Sequence, residues 1–209
     1  MSWITCVACL CSSVCLAGEP RQSAPPQPRP LSTSPAPAPP VSGKERVDWF
    51  LDSTVGARSL LAGVFSAGWS TALDEPPEYG PHWEGFAKRY GMRLTGVSVG
   101  NAIEAGLGAV WDEDPRYPRA ASGSVIGRIG HAAKLTVMAR RGDGLAPAYA
   151  RYTAIAGNNF LSNSWRVPSD DSTTDAIART AVGFSGRFVS NLFDEFWPSL
   201  RRRFFRPQP

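Results

Sequence analysis

Apolar residues recur at spacings of three and four over most of the chain from residue 46 onwards, which is the period of an amphipathic helix. The clearest stripe has steps of four, three, four, four and four and consists of Ile177, Ala181, Phe184, Phe188, Leu192 and Phe196. Similar spacings predict one helix or two over residues 46–73, a long central helix that ends at Trp111, and further helices over 122–141 and 146–165. The pattern therefore predicts an all-α fold, a compact bundle of about five helices.

The central helix is dense in small residues between Gly96 and Ala109. Each glycine costs roughly 1 kcal/mol relative to alanine in a helix interior. Close approach of a neighbouring helix would offset that cost. We therefore predict Gly/Ala-rich close packing within the bundle.

Proline and glycine mark the breaks between the predicted helices. The acidic, proline-containing turn at 74–78 precedes the central helix, and Pro198 is expected to bend or end the last one. Residues 141–144 read Arg-Gly-Asp-Gly and predict a turn. A short strand pair across 135–138 and 148–153 is the alternative to helix around this turn.

The first residues of the chain have the composition of a targeting segment. An apolar run is followed by Cys15 and Ala17, which suit the −3 and −1 positions of a secretory cleavage site. We predict a signal-like leader over residues 1–18, although no Lys or Arg precedes its apolar run. All four cysteines lie within the first fifteen residues, so cleavage near Ala17 would leave a domain stabilised by its core alone.

A proline-rich segment at residues 19–43 follows the predicted leader. Such a segment buries too little to offset the entropy of ordering, and it predicts a disordered, extended linker. The helical domain then covers residues 44–203, and residues 204–209 form a C-terminal tail. This organisation predicts an exported protein of the periplasm or cell envelope, with membrane association as a further expectation.

The charge balance excludes one class of partner. The chain has 22 Lys and Arg against 18 Asp and Glu, and basic and acidic residues alternate almost throughout. Nucleic-acid-binding domains instead concentrate basic residues on one face, so we predict no nucleic-acid partner. The basic and aromatic C-terminal run suits anionic lipid, although a solvated helix end explains it equally well. This interfacial candidate consists of Arg201, Arg202, Arg203, Phe204 and Phe205. Anionic lipid or another envelope protein is the predicted partner.

The candidate chemistry lies in the apolar half of the central helix. Asn101 and Glu104 are its strongly polar side chains, and a carboxylate in such surroundings must find a donor or become neutral. Arg128 and His131 share one stripe of the next predicted helix. These four residues form a candidate binding site, in which Glu104 and His131 could act as an acid–base pair. A purely structural buried pair is the commoner arrangement.

Recognised catalytic and cofactor motifs do not occur in the sequence. It contains no HExxH, no P-loop, no Gly-rich dinucleotide turn and only two histidines. We therefore predict no catalytic residue, no metal and no cofactor. The acids at 112–114 lack the spacing of a calcium loop and are expected to form salt bridges with nearby arginines. This structural motif consists of Asp114, Pro115, Arg116, Tyr117 and Arg119.

Four segments carry a resemblance to a known family. They are EPPEYG at 75–80, EGFAKRYG at 84–91, EDPRY at 113–117 followed by Arg119, and EFWP at 195–198. Through them the chain resembles an uncharacterised family of exported bacterial envelope proteins over most of residues 46–203. Pro118 departs from the aromatic residue of that family. The resemblance implies an exported domain and implies no activity.

Two functions from different classes follow from these observations. The first is a non-enzymatic exported envelope protein, a helical scaffold or interaction domain peripherally associated with membrane or wall. The alternative is a small-molecule binder or hydrolase-type enzyme that uses a buried Glu104/His131 cluster. Insertion of 54–73 and 95–111 into a bilayer is less favoured, because the first contains many polar residues and the second is short.

Overall fold

The structure is a computed structural model that describes residues 40–120 and 122–204. The predicted leader, almost all of the predicted linker and residues 205–209 lie outside the described residues. The described part confirms the all-α fold, because helices make up most of it. The helices are α1 Gly43–Val55, α2 Ala57–Ala72, α3 Trp83–Trp111, α4 Val125–Val137, α5 Tyr149–Tyr152, α6 Asn158–Ser162 and α7 Thr173–Phe204.

Short polar caps fix where several helices begin. Ser42 and Glu45 form a capping box at the start of α1, and the Ser124 side chain accepts from the Gly127 N–H at the start of α4. Residues 46–73 form two helices, with the break at Gly56. A Cβ at Gly56 would lie 2.2 Å from the Asp52 carbonyl oxygen, so the break requires glycine.

The central helix α3 organises the bundle. It packs against α1 and α2 on one part of its surface and against the 149–162 segment on another, while α7 packs against α4 and α6. The predicted close packing is confirmed at Gly108, where a Cβ would lie 2.9 Å from Arg46 Nη1 and 3.1 Å from the Glu113 carbonyl oxygen. It does not extend to Gly106, which has no such neighbour within 4 Å.

A small antiparallel sheet interrupts the helices. Its strands are β1 Glu113–Asp114, β2 Met138–Arg141 and β3 Gly144–Pro147, in the order β1-β2-β3. The helix predicted over 122–141 therefore ends at Val137. The turn predicted at 141–144 joins β2 to β3, with Gly142 at φ 51°. Glu113 and Asp114 pair in register with Arg141 and Arg140, so opposite charges face each other across the ladder.

Two other predicted helices differ in detail. The segment predicted over 146–165 begins at Tyr149 and contains a π-helical turn at Thr153–Gly157. Of the two alternatives predicted for Pro198, an end of the last helix is wrong, because α7 continues past it to Phe204. In the part of the chain that the structure describes, no helix has the length and hydropathy needed to cross a bilayer.

The distribution of side chains is inverted relative to an ordinary soluble domain. Buried apolar side chains are nearly all small, and their list is Ala67, Ala132, Leu135, Ala139, Ala148, Ala150, Ala154 and Ala176. Charged residues are buried beside them, and Glu195 is 1% exposed. Large apolar residues such as Phe65 and Ile126 are 75% and 83% exposed. Such exposure of large apolar groups usually marks an interaction surface.

Candidate functional site

The polar interior is organised around residues 113–120, which we call the crossing segment. Its residues contact α1, α4, α5 and α7. The backbone carbonyl of Glu113 accepts from Arg46 Nη1 at 2.8 Å, and the carbonyl of Pro118 accepts from His131 Nε2 at 2.9 Å. Since a carbonyl oxygen only accepts, His131 Nε2 is the donor of this bond.

Glu113 is the first acid of the crossing segment and is almost fully buried. Its carboxylate accepts from the backbone N–H groups of Tyr149 and Ala150 at 3.1 and 3.0 Å, and from Arg141 Nη2 at 3.1 Å. The acid therefore occupies the N-terminus of α5, where the free N–H groups and helix dipole favour negative charge.

Glu104 lies beneath the crossing segment and is 5% exposed. Its Oε1 accepts from Arg151 Nε and Arg187 Nη2, both at 3.0 Å. Arg187 also donates to the Pro115 carbonyl at 2.7 Å, so the same guanidinium joins α3, α7 and the crossing segment. Burial lowers the pKa of Arg187 to about 10, an effect that the nearby Glu104 charge opposes.

Arg151 has a second role at the end of α4. Its Nη1 donates to the carbonyls of Leu135, Thr136 and Met138, the first at 2.7 Å. The last carbonyls of a helix lack intrahelical donors, and Arg151 donates hydrogen bonds to them instead. The space among Glu104, Arg151 and the crossing segment is too small for a water molecule. Glu104 is thus buried and held by two cations.

Glu195 is the centre of a second cluster. Its carboxylate accepts from Tyr117 Oη at 2.8 Å, from the Ala120 N–H at 3.1 Å and from Arg128 Nε at 2.7 Å. Arg128 also lies 4.4 Å from the centroid of the Phe196 ring. Burial opposes ionisation of Glu195, but the bonds from Arg128, Ala120 and Tyr117 outweigh it and lower its pKa. For Tyr117, burial first and the Glu195 carboxylate second raise the pKa.

The predicted binding residues are distributed over three places. Asn101 donates to Thr54 Oγ1 at 3.0 Å, Glu104 belongs to the first cluster, and Arg128 belongs to the second. His131 lies beside Tyr117, with 5.9 Å between ring centroids. In the described residues no hydrogen bond or ion pair joins Glu104 to His131, so the proposed acid–base pair is not assembled.

The predicted structural motif has the expected ion pairs. Asp114 accepts from the Arg116 Nε at 2.9 Å, and Arg116 reaches Glu45 at 2.8 Å. Arg119 is exposed beside a shallow cavity of about 250 Å³ that Arg128, Glu195 and Ser199 also line. Within residues 40–120 and 122–204 there is no group of three or more His, Cys, Asp or Glu side chains that could hold a metal.

The predicted interfacial run is described only in part. Arg201 is exposed at the end of α7. The side chains of Arg202, Arg203 and Phe204 and the whole of Phe205 lie outside the described residues.

Arg89 was not selected from the sequence, yet it holds the loop before α3. Its guanidinium donates to the carbonyls of Glu75, Pro76 and Gly80 at 2.8, 2.7 and 2.6 Å, and to the Asp74 carboxylate at 3.1 Å. A Cβ at Gly85 would lie 1.8 Å from the Gly80 carbonyl oxygen. The EPPEYG and EGFAKRYG segments therefore form one unit, and their joint occurrence was the signal that the sequence offered.

No protein-family model, curated protein or solved structure matches the chain.

Proposed function

We propose that this chain is a non-enzymatic helical domain of the bacterial cell envelope, exported and peripherally associated with the membrane. The observation that carries the proposal is the inverted distribution of its side chains. Charged groups inside the bundle bind one another, whereas large apolar and aromatic groups lie outside. An outer surface of this kind has a partner to contact.

The interior supports a structural role for the buried charges. Both Glu104 and Glu195 accept several donors, and their arginine partners also bind backbone carbonyls that link separate elements. A general base needs a lone pair that faces its substrate, and the space beside Glu104 is too small for even a water molecule. The binder or hydrolase alternative therefore lacks a supporting observation, because its two central residues lie in separate clusters.

Cell fractionation tests the proposed function. The full chain, expressed in a bacterium, is expected in the envelope fraction and should be released by carbonate washing, as a peripheral protein is. Recovery in the cytoplasm would overturn export, and retention through the carbonate wash would overturn peripheral association. A cytoplasmic marker protein and an integral membrane protein serve as the two controls.

A further inference from the structure

The outer face of α2 is a row of exposed apolar side chains. Leu61, Phe65 and Trp69 follow one another at steps of four, and Val64 and Leu73 flank them. All five side chains are about half exposed or more, and Trp69 is 62% exposed. The two aromatics together offer on the order of 250 Å² of apolar area. A patch of this size with three further aliphatic side chains exceeds what an isolated exposed residue explains.

The α2 face contains few charged residues. Within residues 57–72 the charged residue is Arg58, and there is no acid. Three nearby acids have basic partners: Asp74 pairs with Arg89, Glu84 with Lys88, and Asp194 with Arg58. The α2 helix itself therefore contains no carboxylate that would repel an anionic surface.

An aromatic row on α3 runs along α2 and ends at a cation. Trp83, Phe86 and Tyr90 are stacked in sequence with ring centroids 5.0 and 6.0 Å apart. One turn further on, Arg93 lies against α2 at the buried Gly63, where a Cβ would lie 2.9 Å from Arg93 Nη1. Burial lowers the pKa of Arg93, with Tyr90 acting in the opposite direction.

Arg93 differs from the other buried and half-buried arginines of the bundle. Arg46, Arg89 and Arg151 each donate to carbonyl or carboxylate oxygens. In the described part of the chain, no hydrogen bond or ion pair holds the Arg93 guanidinium. A partly desolvated guanidinium without an acceptor is suited to bind a phosphate or carboxylate from outside.

We propose that the α2 face lies in the headgroup region of an anionic lipid bilayer, with Arg93 bound to a lipid phosphate. This inference rests on the proposed membrane association and assigns it to one face. Tryptophan and tyrosine favour the level of the headgroups, and arginine beside apolar groups binds anionic lipid there. A protein partner would need to supply both an apolar groove for a whole helix and an acid for Arg93, whereas an anionic bilayer supplies both chemistries.

Vesicle binding by the full chain tests the assignment. On vesicles that contain phosphatidylglycerol, the variant Phe65→Ser should lower the partition coefficient at least about tenfold, because burial of a large apolar side chain is worth 1.5–3 kcal/mol. The matched control is Ile126→Ser on α4, which removes an equally exposed apolar side chain from another helix and should leave binding unchanged. Equal losses in the two variants would indicate unspecific adsorption and would overturn the proposal.

Arg93→Gln separates the phosphate contact from the apolar contact. It should weaken binding to anionic vesicles about fivefold and leave binding to phosphatidylcholine vesicles unchanged, since one basic residue near an anionic surface contributes about 1 kcal/mol. Arg140→Gln, a change at an exposed arginine on β2, is the control. Equal effects of the two variants would overturn the role of Arg93.

A measurement at Trp69 distinguishes binding through the α2 face from binding through residues 1–39. The fluorescence of Trp69 is obtained as the difference between the wild type and the variant Trp69→Phe. Lipids brominated near the headgroup should quench this fluorescence. Lack of quenching in a protein that fractionates with the envelope would overturn this inference and leave the proposed function standing. Conversion of a dimer into a monomer by Phe65→Ser would assign the face to a second copy of the chain and would also overturn it. Unchanged melting temperatures show that the variants remain folded.

Discussion

Glu104 and Phe65 belong to α3 and α2, two helices that pack against each other, but their surroundings are reversed. The carboxylate is 5% exposed and bound by two arginines, whereas the phenyl ring is 75% exposed. A buried ion pair contributes little net stability but becomes costly when one partner is removed, because the other charge stays buried. Removal of one charged partner from the interior should therefore destabilise the fold, whereas substitutions on the α2 face should have little effect on folding. Four substitutions test this contrast.

The largest expected effect is that of Glu104→Gln. The variant leaves the Arg151 and Arg187 charges without a counterion and should lower the free energy of unfolding by about 3 kcal/mol or more. Urea denaturation followed by circular dichroism measures it. Glu84→Gln on the same helix removes an exposed acid paired with Lys88 and should change nothing measurable. Equal stability of the two variants would show that Glu104 does not neutralise the buried arginines.

Arg89→Met should have the next largest effect. The substitution keeps a long apolar stem but leaves the carbonyls of Glu75, Pro76 and Gly80 without their donor, at a cost of about 2–3 kcal/mol. Limited proteolysis should then cut residues 74–80 faster than in the wild type. The neighbouring change Lys88→Met, at an exposed site, should preserve the wild-type pattern. Equal cleavage rates would contradict the assigned role of Arg89.

Acidification should weaken the second cluster. Because the folded-state pKa of Glu195 is lowered, its contribution to stability is complete above the ordinary carboxyl pKa of about 4.3 and is lost as the pH falls through the lowered value. Melting temperatures of the wild type and Glu195→Gln should therefore differ most near neutral pH and converge in acid. The variant Tyr117→Phe removes one hydrogen-bond donor to Glu195, and its melting temperature should lie between those of the wild type and Glu195→Gln. A difference between wild type and Glu195→Gln that is independent of pH would contradict the assignment.

The smallest expected effect on folding is that of Phe65→Asn. An exposed substitution away from special features usually changes the free energy of unfolding by no more than about 0.5 kcal/mol. Leu135→Ala, a truncation in the buried interior, should instead cost about 2 kcal/mol or more. If Phe65→Asn were the more destabilising of the two, the α2 face would belong to the core.

The fold was predictable where apolar residues kept the spacing of a helix over a long segment. The helix α7 and the end of α3 at Trp111 follow from apolar spacing, and both are confirmed. The apolar stripe of α7 is not its buried face, because Ile177 is 58% exposed whereas Asn191 and Glu195 are buried.

A strand pair around the Arg-Gly-Asp-Gly turn was the alternative to helix, at 135–138 and 148–153, whereas the strands lie at Met138–Arg141 and Gly144–Pro147. Helix was favoured because Val137 and Met138 extend the apolar pattern of α4. A local pattern does not reveal that β1 supplies acids opposite Arg140 and Arg141.

The site was predictable only one residue at a time. A lone carboxylate in an apolar stretch predicted that Glu104 needs donors, but those donors come from 47 and 83 residues away. Arg128 and His131 share a stripe, as predicted, but Arg128 binds Glu195 of α7 and His131 binds Pro118 of the crossing segment, so neither binds Glu104. Glu195 resembled a surface acid because Asp194 precedes it, and nothing local distinguishes the two.

The order in which the crossing segment acquires its partners has a consequence for the growing chain. Arg46 precedes the segment, but Arg187 and Glu195 are synthesised 72 and 78 residues after the positions they bind. Contacts between distant parts of a sequence form late, because the intervening loop must first close. A nascent chain that ends before α7 therefore holds Glu104 and Tyr117 with incomplete sets of partners. These contacts can form only when α7 has emerged, so the polypeptide remains incompletely packed until then.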